Sequence, residues 1–230
     1  MRKNVAILQS NYIPWKGYFD IIRRVDLFVF HDDLRYTKQD WRNRNRIKTP
    51  GGTKWLTIPC GSDQRRRICD VAPRDPDWQL HHWRSIVASY TKAPYFDHYK
   101  DFFEDFYTRR PWGNLSELNR HLIEHVCREW LQTTTPFDDS RNYGLTETRG
   151  ARVLELLEKV GATDYLSGPR GKGYLEEAEF VKRGISLSWM DYSEYPEYEQ
   201  LYPPFEHNVS IIDLLFSVGP DVKRFMLGAL

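Results

Sequence analysis

Two apolar runs of strand length, Val5 to Leu8 and Leu27 to Phe30, bracket a segment in which Tyr18, Ile21, Ile22 and Val25 recur at helical spacing. A helix between two short buried strands is the βαβ pattern, and the usual crossover makes such strands parallel. At 230 residues and 40% hydrophobic, the chain can bury a large core, and one compact body is the default expectation. The expected class is α/β, a parallel-sheet, nucleotide-binding-like core with an additional α-helical segment, in one domain over 1–230. Residues 1–75 and 161–191 form the α/β core in this reading, and 77–160 the mainly helical part.

Beyond the first unit, Lys54 to Pro59 alternates like a third strand after a Pro50-Gly51-Gly52 turn. Helical patterns cover Asp77 to Tyr107, then Leu115 to Leu131 with Asn114 placed to cap it, then Thr148 to Val160 with Gly161 as a stop. Tyr165 to Ser167 and Ile185 to Met190 read as strands, with a helix from Tyr174 through Lys182 between them. Asp191 to Pro204, rich in Tyr, Pro and Glu, reads as irregular. A closing helix is expected over Ser210 to Phe216, capped by Ser210 with Asp213 three residues on.

Polar groups gather just past the first two strands, where open α/β sheets bind ligands. Gln9, Asn11, Tyr12, Trp15 and Lys16 follow strand one; His31, Asp32 and Asp33 follow strand two. Tyr12 and Trp15 offer flat faces for a base or sugar ring, and Lys16 a charge for phosphate. His31, Asp32 and Asp33 are the acid/base candidates, and the aspartate pair is also a candidate holder of magnesium delivered with phosphate. Between strands two and three lies a basic segment holding Lys38, Trp41, Arg42, Asn43, Arg44, Asn45 and Arg46. Because 33 basic and 32 acidic residues nearly cancel, this local run stands out. Arginine forks grip phosphate or carboxylate in pairs of bonds, and alternation directs Arg42, Arg44 and Arg46 to one side of an extended strand and Asn43 and Asn45 to the other. A later loop, Ser167 and Gly168 through Lys172 to Tyr174, sets two cations before an expected helix N-terminus, a second place for an anion.

A net charge of +1 argues against a dedicated, non-specific nucleic-acid binder, and DNA is not an expected partner. No run of about 18 apolar residues appears, so membrane insertion is not expected; with no signal-peptide core, a cytoplasmic protein is. Cys60, Cys69 and Cys127 have no C-x-x-C spacing and read as buried thiols. His81 and His82 point apart on a helix, and His121 and His125 lack the glutamate of a zinc-protease pattern, so no metal site is assigned. Glu206 and His207 are weaker site candidates.

The stretch Ile7-Leu8-Gln9-Ser10-Asn11-Tyr12-Ile13-Pro14-Trp15-Lys16-Gly17-Tyr18-Phe19, the segment from Asp32-Asp33 to Arg46, Ser167-Gly168 with Tyr174-Leu175, and Ser210-Ile211-Ile212-Asp213 together resemble the WbqC-like family over nearly the whole chain. Members are typically encoded among bacterial surface-polysaccharide genes, so the resemblance implies a role in making or decorating O-antigen, a part of lipopolysaccharide, or a nucleotide-linked sugar. A fold-level resemblance to nucleotidyltransferases and pantothenate synthetases also exists, without the paired histidines of their first motif.

The function expected from these observations is transfer of an acyl or aminoacyl group to the amino group of a nucleotide-linked sugar. His31 or Asp33 would accept the amine proton, and Asn11, Asn43 and Asn45 would be available to an oxyanion. The donor is left open between an activated acyl carrier, aminoacyl-tRNA, and a carboxylate activated by ATP with magnesium. The rivals are a nucleotidyl or phosphoryl transferase and a non-catalytic nucleotide-sugar-binding protein. Oligomeric state is not legible in the sequence.

Overall fold

A computed structural model describes residues 2–227. Its centre is a five-stranded parallel sheet built from β1 (Asn4–Leu8), β2 (Leu27–Phe30), β5 (Phe137–Asp139), β6 (Asp164–Ser167) and β7 (Ser186–Trp189), in the order β5-β2-β1-β6-β7. The α/β class is therefore observed. Helix α1 (Lys16–Arg23) links β1 to β2, as the spacing of Tyr18, Ile21 and Ile22 requires.

Strand alternation sorts the core into two layers. Val5, Ile7, Leu27 and Val29 face one side, against Val153, Leu156 and Leu157 of α5 (Arg149–Lys159) and Phe180 of α6 (Glu177–Lys182). Ala6, Phe28 and Phe30 face the other, against α1 and the helices α2 (Trp78–Tyr90), α3 (Phe96–Glu104), α4 (Leu115–His125) and α7 (Ile211–Val218). Side chains of that second layer are strongly aromatic, with Phe96, Tyr99 and Phe103 all packed on Phe216.

Three caps foreseen in the sequence are present: Asn114 accepts from the Glu117 amide, Ser210 from the Ile212 amide, and Gly161 ends α5 at φ +70°. Four expectations are corrected. The third strand does not join the sheet: β4 (Gly52–Thr57) pairs antiparallel with β3 (Arg44–Thr49), so the end of the basic segment, Arg44 to Arg46, lies in a strand of a separate hairpin. Local alternation cannot tell a sheet strand from a hairpin strand, because both have period two. The edge strand β5 arises from Phe137–Asp139, too short to register as a periodic pattern. The helix expected from Tyr174 starts only at Glu177, after a 3₁₀ turn over Pro169–Gly173. Asp213 does not complete a capping box; it is fully buried and accepts from Tyr90, Tyr198 and Gln200, pinning the irregular segment before α7.

Candidate functional site

Chain order runs outward from β1 to β2 and β5, then returns to the other side of β1 for β6 and β7. The reversal point lies between β1 and β6, and there the pairing covers only Asn4 with Asp164 and Val5 with Tyr165. By contrast β1 pairs β2 through all of Val5 to Leu8. The carboxyl ends of β1 and β6 thus splay apart, the position at which open α/β sheets admit ligands. A cavity of about 800 Å³ occupies this opening, within the size range of small-molecule sites.

Its cations come from three separate elements: Arg42 just before β3, Arg149 at the start of α5, and Arg170 in the turn after β6. None of the described residues lining the cavity is acidic. Arg42 is held in place, donating to Gln9 Oε1 at 2.7 Å and Asn11 Oδ1 at 3.2 Å. Arg149 sits at φ +54°, a left-handed conformation that costs an ordinary side chain roughly 1–2 kcal/mol. Ile13, at φ +35° beside the cavity, is a second such residue, and the buried Asn45 amide clamps it by donating to the carbonyls of Tyr12 and Ile13 at 3.1 and 2.9 Å. Aromatic rings complete the walls. Trp15 meets Tyr192 and Tyr195 edge-on at 4.9 and 5.7 Å, with Trp41 and Tyr174 at other points of the rim.

His31 lies buried in the lining, its Nε2 accepting from Arg152 Nε at 3.1 Å. Burial outweighs the field of Asp33 and pulls the imidazole down to about 4, so the ring is neutral at pH 7. With Nε2 accepting, the hydrogen-bond network assigns the ring proton to Nδ1. His207 also lines the cavity, and burial and the nearby Lys16 charge hold its imidazole below the ordinary histidine value, toward the neutral form at pH 7.

A family model described as the WbqC-like protein family matches residues 9–225. The chain belongs to that family. It is also similar to the uncharacterized protein Rv1507c of Mycobacterium tuberculosis, 42% identical over 228 residues that cover 97% of this chain and 98% of that one. No solved structure matches.

Within this family member the expected site residues divide. Gln9, Asn11, Trp15, His31, Trp41, Arg42, Asn45, Gly168 and Tyr174 line one cavity. Tyr12 does not: its ring is fully buried and its hydroxyl sits 2.7 Å from His82 Nδ1 and 2.5 Å from the Tyr107 hydroxyl, so it braces α2 instead of stacking on a ligand. Lys16 is buried too, donating to the Pro196 carbonyl at 3.1 Å over the Tyr195 ring, and burial lowers its ammonium to about 8. Asp32 accepts from the Ser10 amide and the Ser116 hydroxyl, and burial raises its carboxyl. Asp33 is bonded to Arg152 and Ser140. Both carboxylates are spent on the protein, and neither is set as a base or as half of a magnesium pair. Among the described residues no group of three or more His, Cys, Asp or Glu is placed to hold a metal ion.

Asn43 is buried and donates to the Ile58 carbonyl at 2.8 Å, and Asn45 is the clamp on Ile13, so neither amide is open to an oxyanion. Ser167 turns inward against Gly171, where a Cβ would stand 2.5 Å from its hydroxyl. Lys172 leaves the cavity for the Trp189 ring at 5.8 Å, while Arg170, two residues earlier in the turn, enters it. Lys38 is exposed on the preceding loop, and Arg44 and Arg46 lie on the hairpin. Arg149, Tyr192 and Tyr195 were missed; they stand in separate segments with no motif, though the density of tyrosine after Asp191 was a usable signal. The three cysteines are free and buried, and burial lifts the Cys60 thiol to about 12. No helix among the described residues is long and apolar enough to cross a membrane.

Proposed function

We propose that the crevice binds a nucleotide-linked amino sugar and that the protein transfers an acyl or aminoacyl group to its amino group, the role in surface-polysaccharide assembly that family membership suggests. One observation carries the reading: at the switch point of a parallel sheet, three arginines and no acidic residue face aromatic walls across about 800 Å³. Arginine forks match a diphosphate, while Trp15, Tyr192 and Tyr195 suit the faces of a base or sugar.

The chemistry follows from the two imidazoles. His207, neutral at pH 7, takes a proton from the sugar ammonium; the freed nitrogen lone pair attacks the acyl carbon, forming the C–N bond. Negative charge builds on the acyl oxygen, and His31 donates its Nδ1–H to it. Collapse breaks the bond to the donor's leaving group, which departs with the electron pair and takes the proton that His207 holds; His207, neutral again, removes the second proton from the acylated nitrogen and passes it to water, leaving the neutral amide. His31 is thus a donor and not the base that its sequence position suggested, because Arg152 already occupies its other nitrogen.

Calorimetric titration with uridine and thymidine diphosphate amino sugars tests the reading. Binding is expected, with Arg170→Met weakening it at least about tenfold through loss of a charge-assisted pair. No heat with any nucleotide or nucleotide sugar overturns it.

A further inference from the structure

The part of the basic segment that does not reach the crevice builds an assembly of its own. Arg46 and Trp55 are direct cross-strand partners on the hairpin, and Arg44 stands one step along on the same face. The guanidinium of Arg44 lies 4.2 Å from the centre of the Trp55 ring and that of Arg46 lies 5.6 Å from it. Trp41 approaches the same ring at 5.5 Å, tilted by 40°, and Trp41 also lines the crevice. An aromatic and cationic ladder therefore starts at the crevice mouth and runs outward along β3 and β4.

The charges of this ladder are only partly balanced by the protein. Among the described residues no carboxylate lies within ion-pair distance of Arg44, and the nearest to Arg46 is Glu206, at 4.0 Å. Arg46 Nε is buried without a hydrogen-bond partner. Two guanidiniums of like charge share one ring, and Trp55 is still 41% exposed. An anion attached to a flat ring relieves both features at once, since the anion bridges the forks and the ring covers the indole.

We infer that the hairpin is the docking site for the nucleoside-phosphate end of a second, small substrate, the group donor, with its base on Trp55 and Trp41 and its phosphate between Arg44 and Arg46. The assignment of that ligand as donor rests on reading the crevice as the nucleotide-sugar site. Continuity through Trp41 supports it, because a donor held on the ladder extends its far end into the crevice.

The test uses AMP as the probe, titrated by calorimetry into protein whose crevice is first saturated with UDP. One AMP is expected to bind per chain without displacing UDP. Adenosine and ribose 5-phosphate should each bind at least about tenfold more weakly, since each lacks half of the recognised chemistry. Trp55→Ala and Arg44→Met should each cost AMP about tenfold and leave UDP unchanged, while Trp55→Phe keeps most of the AMP affinity. Unchanged AMP binding in Trp55→Ala, simple competition between AMP and UDP, or Trp55-dependent binding of a short single-stranded RNA without AMP binding each overturns the inference. If UDP fails to bind but AMP binds through Trp55, the crevice reading falls and the hairpin site stands.

Discussion

Arg42 and Arg44 are two residues apart in one basic run, yet one is drawn into the molecule and the other left on its surface. Arg42 precedes β3, where the chain passes under the loop after β1, and Gln9 and Asn11 supply oxygens that fix its fork in the crevice. Arg44 lies within the hairpin and finds only the face of Trp55. The crevice is rigid because buried polar side chains hold its backbone: Asn45 on Tyr12 and Ile13, Asp32 on Ser10. The hairpin is anchored on its inner face, by buried Ile47 and Leu56 and by the Ser210 amide donating to the Arg46 carbonyl, while its outer face, where Arg44, Arg46 and Trp55 meet, has no buried polar support of that kind. Preorganised charge near a sheet's switch point and half-buried charge stacked on an indole face of a hairpin are different instruments, one suited to fixing a ligand and the other to receiving one.

That contrast is most severely tested by removing a support of the crevice. Asn45→Ala leaves two buried carbonyls without a donor and releases the positive-φ turn at Ile13, and chemical denaturation should show a loss of about 3 kcal/mol. A loss under 1 kcal/mol means that the turn is not strained.

Acid should weaken the crevice side of the molecule next. His31 and His82 both have folded values near 4, below the ordinary histidine value of 6.5. Each contributes stability that is fully present above about pH 6.5 and lost as pH falls through 4, on the order of 2–3 kcal/mol apiece. Asp32 and Asp213, whose buried carboxyls are raised, take up protons in the folded state and offset part of the loss. Urea midpoints at pH 7, 5.5 and 4 should fall steadily, and His82→Gln should flatten the curve.

Ligand affinity separates the two regions at smaller scale. Arg149→Met and Arg170→Met should each cost a nucleotide sugar about 1.5–3 kcal/mol by calorimetry, while Arg46→Met costs it less than about 0.5 kcal/mol. The smallest effect concerns stability: Arg44→Met, at a half-buried position with no ion pair among the described residues, should move the unfolding free energy by less than about 0.5 kcal/mol. If Arg44→Met destabilises as much as Asn45→Ala, the hairpin stack is a structural support and the distinction between the two regions collapses.

Much of the fold was legible because its signals are local. The apolar runs around α1, the Asn114 and Ser210 caps and the Gly161 stop each depend on a few neighbours, and all appear where expected. Half of the site was legible for the same reason: Gln9, Asn11 and Trp15 follow β1 directly, and the end of a parallel strand is where ligands are met. The errors came from residues whose surroundings are distant in sequence. Tyr12 looked like a stacking ring until α2 brought His82 to its hydroxyl, and Asp32 looked like a base until α4 brought Ser116. Lys172 was the cation expected at the site, and the turn geometry after β6 brings Arg170 to the cavity in its place.

What the sequence alone determined was the parallel sheet, because hydrophobic period and chain direction are properties of short segments. It also determined that Arg44 and Arg46 share a side, since alternation is a backbone property, whereas Arg42, in the turn before β3, falls outside that alternation. Only the tertiary structure decided which of them meets a ligand in the crevice. That depends on β3 leaving the sheet for a hairpin and on β1 and β6 parting after Val5, which are outcomes of packing between segments more than a hundred residues apart.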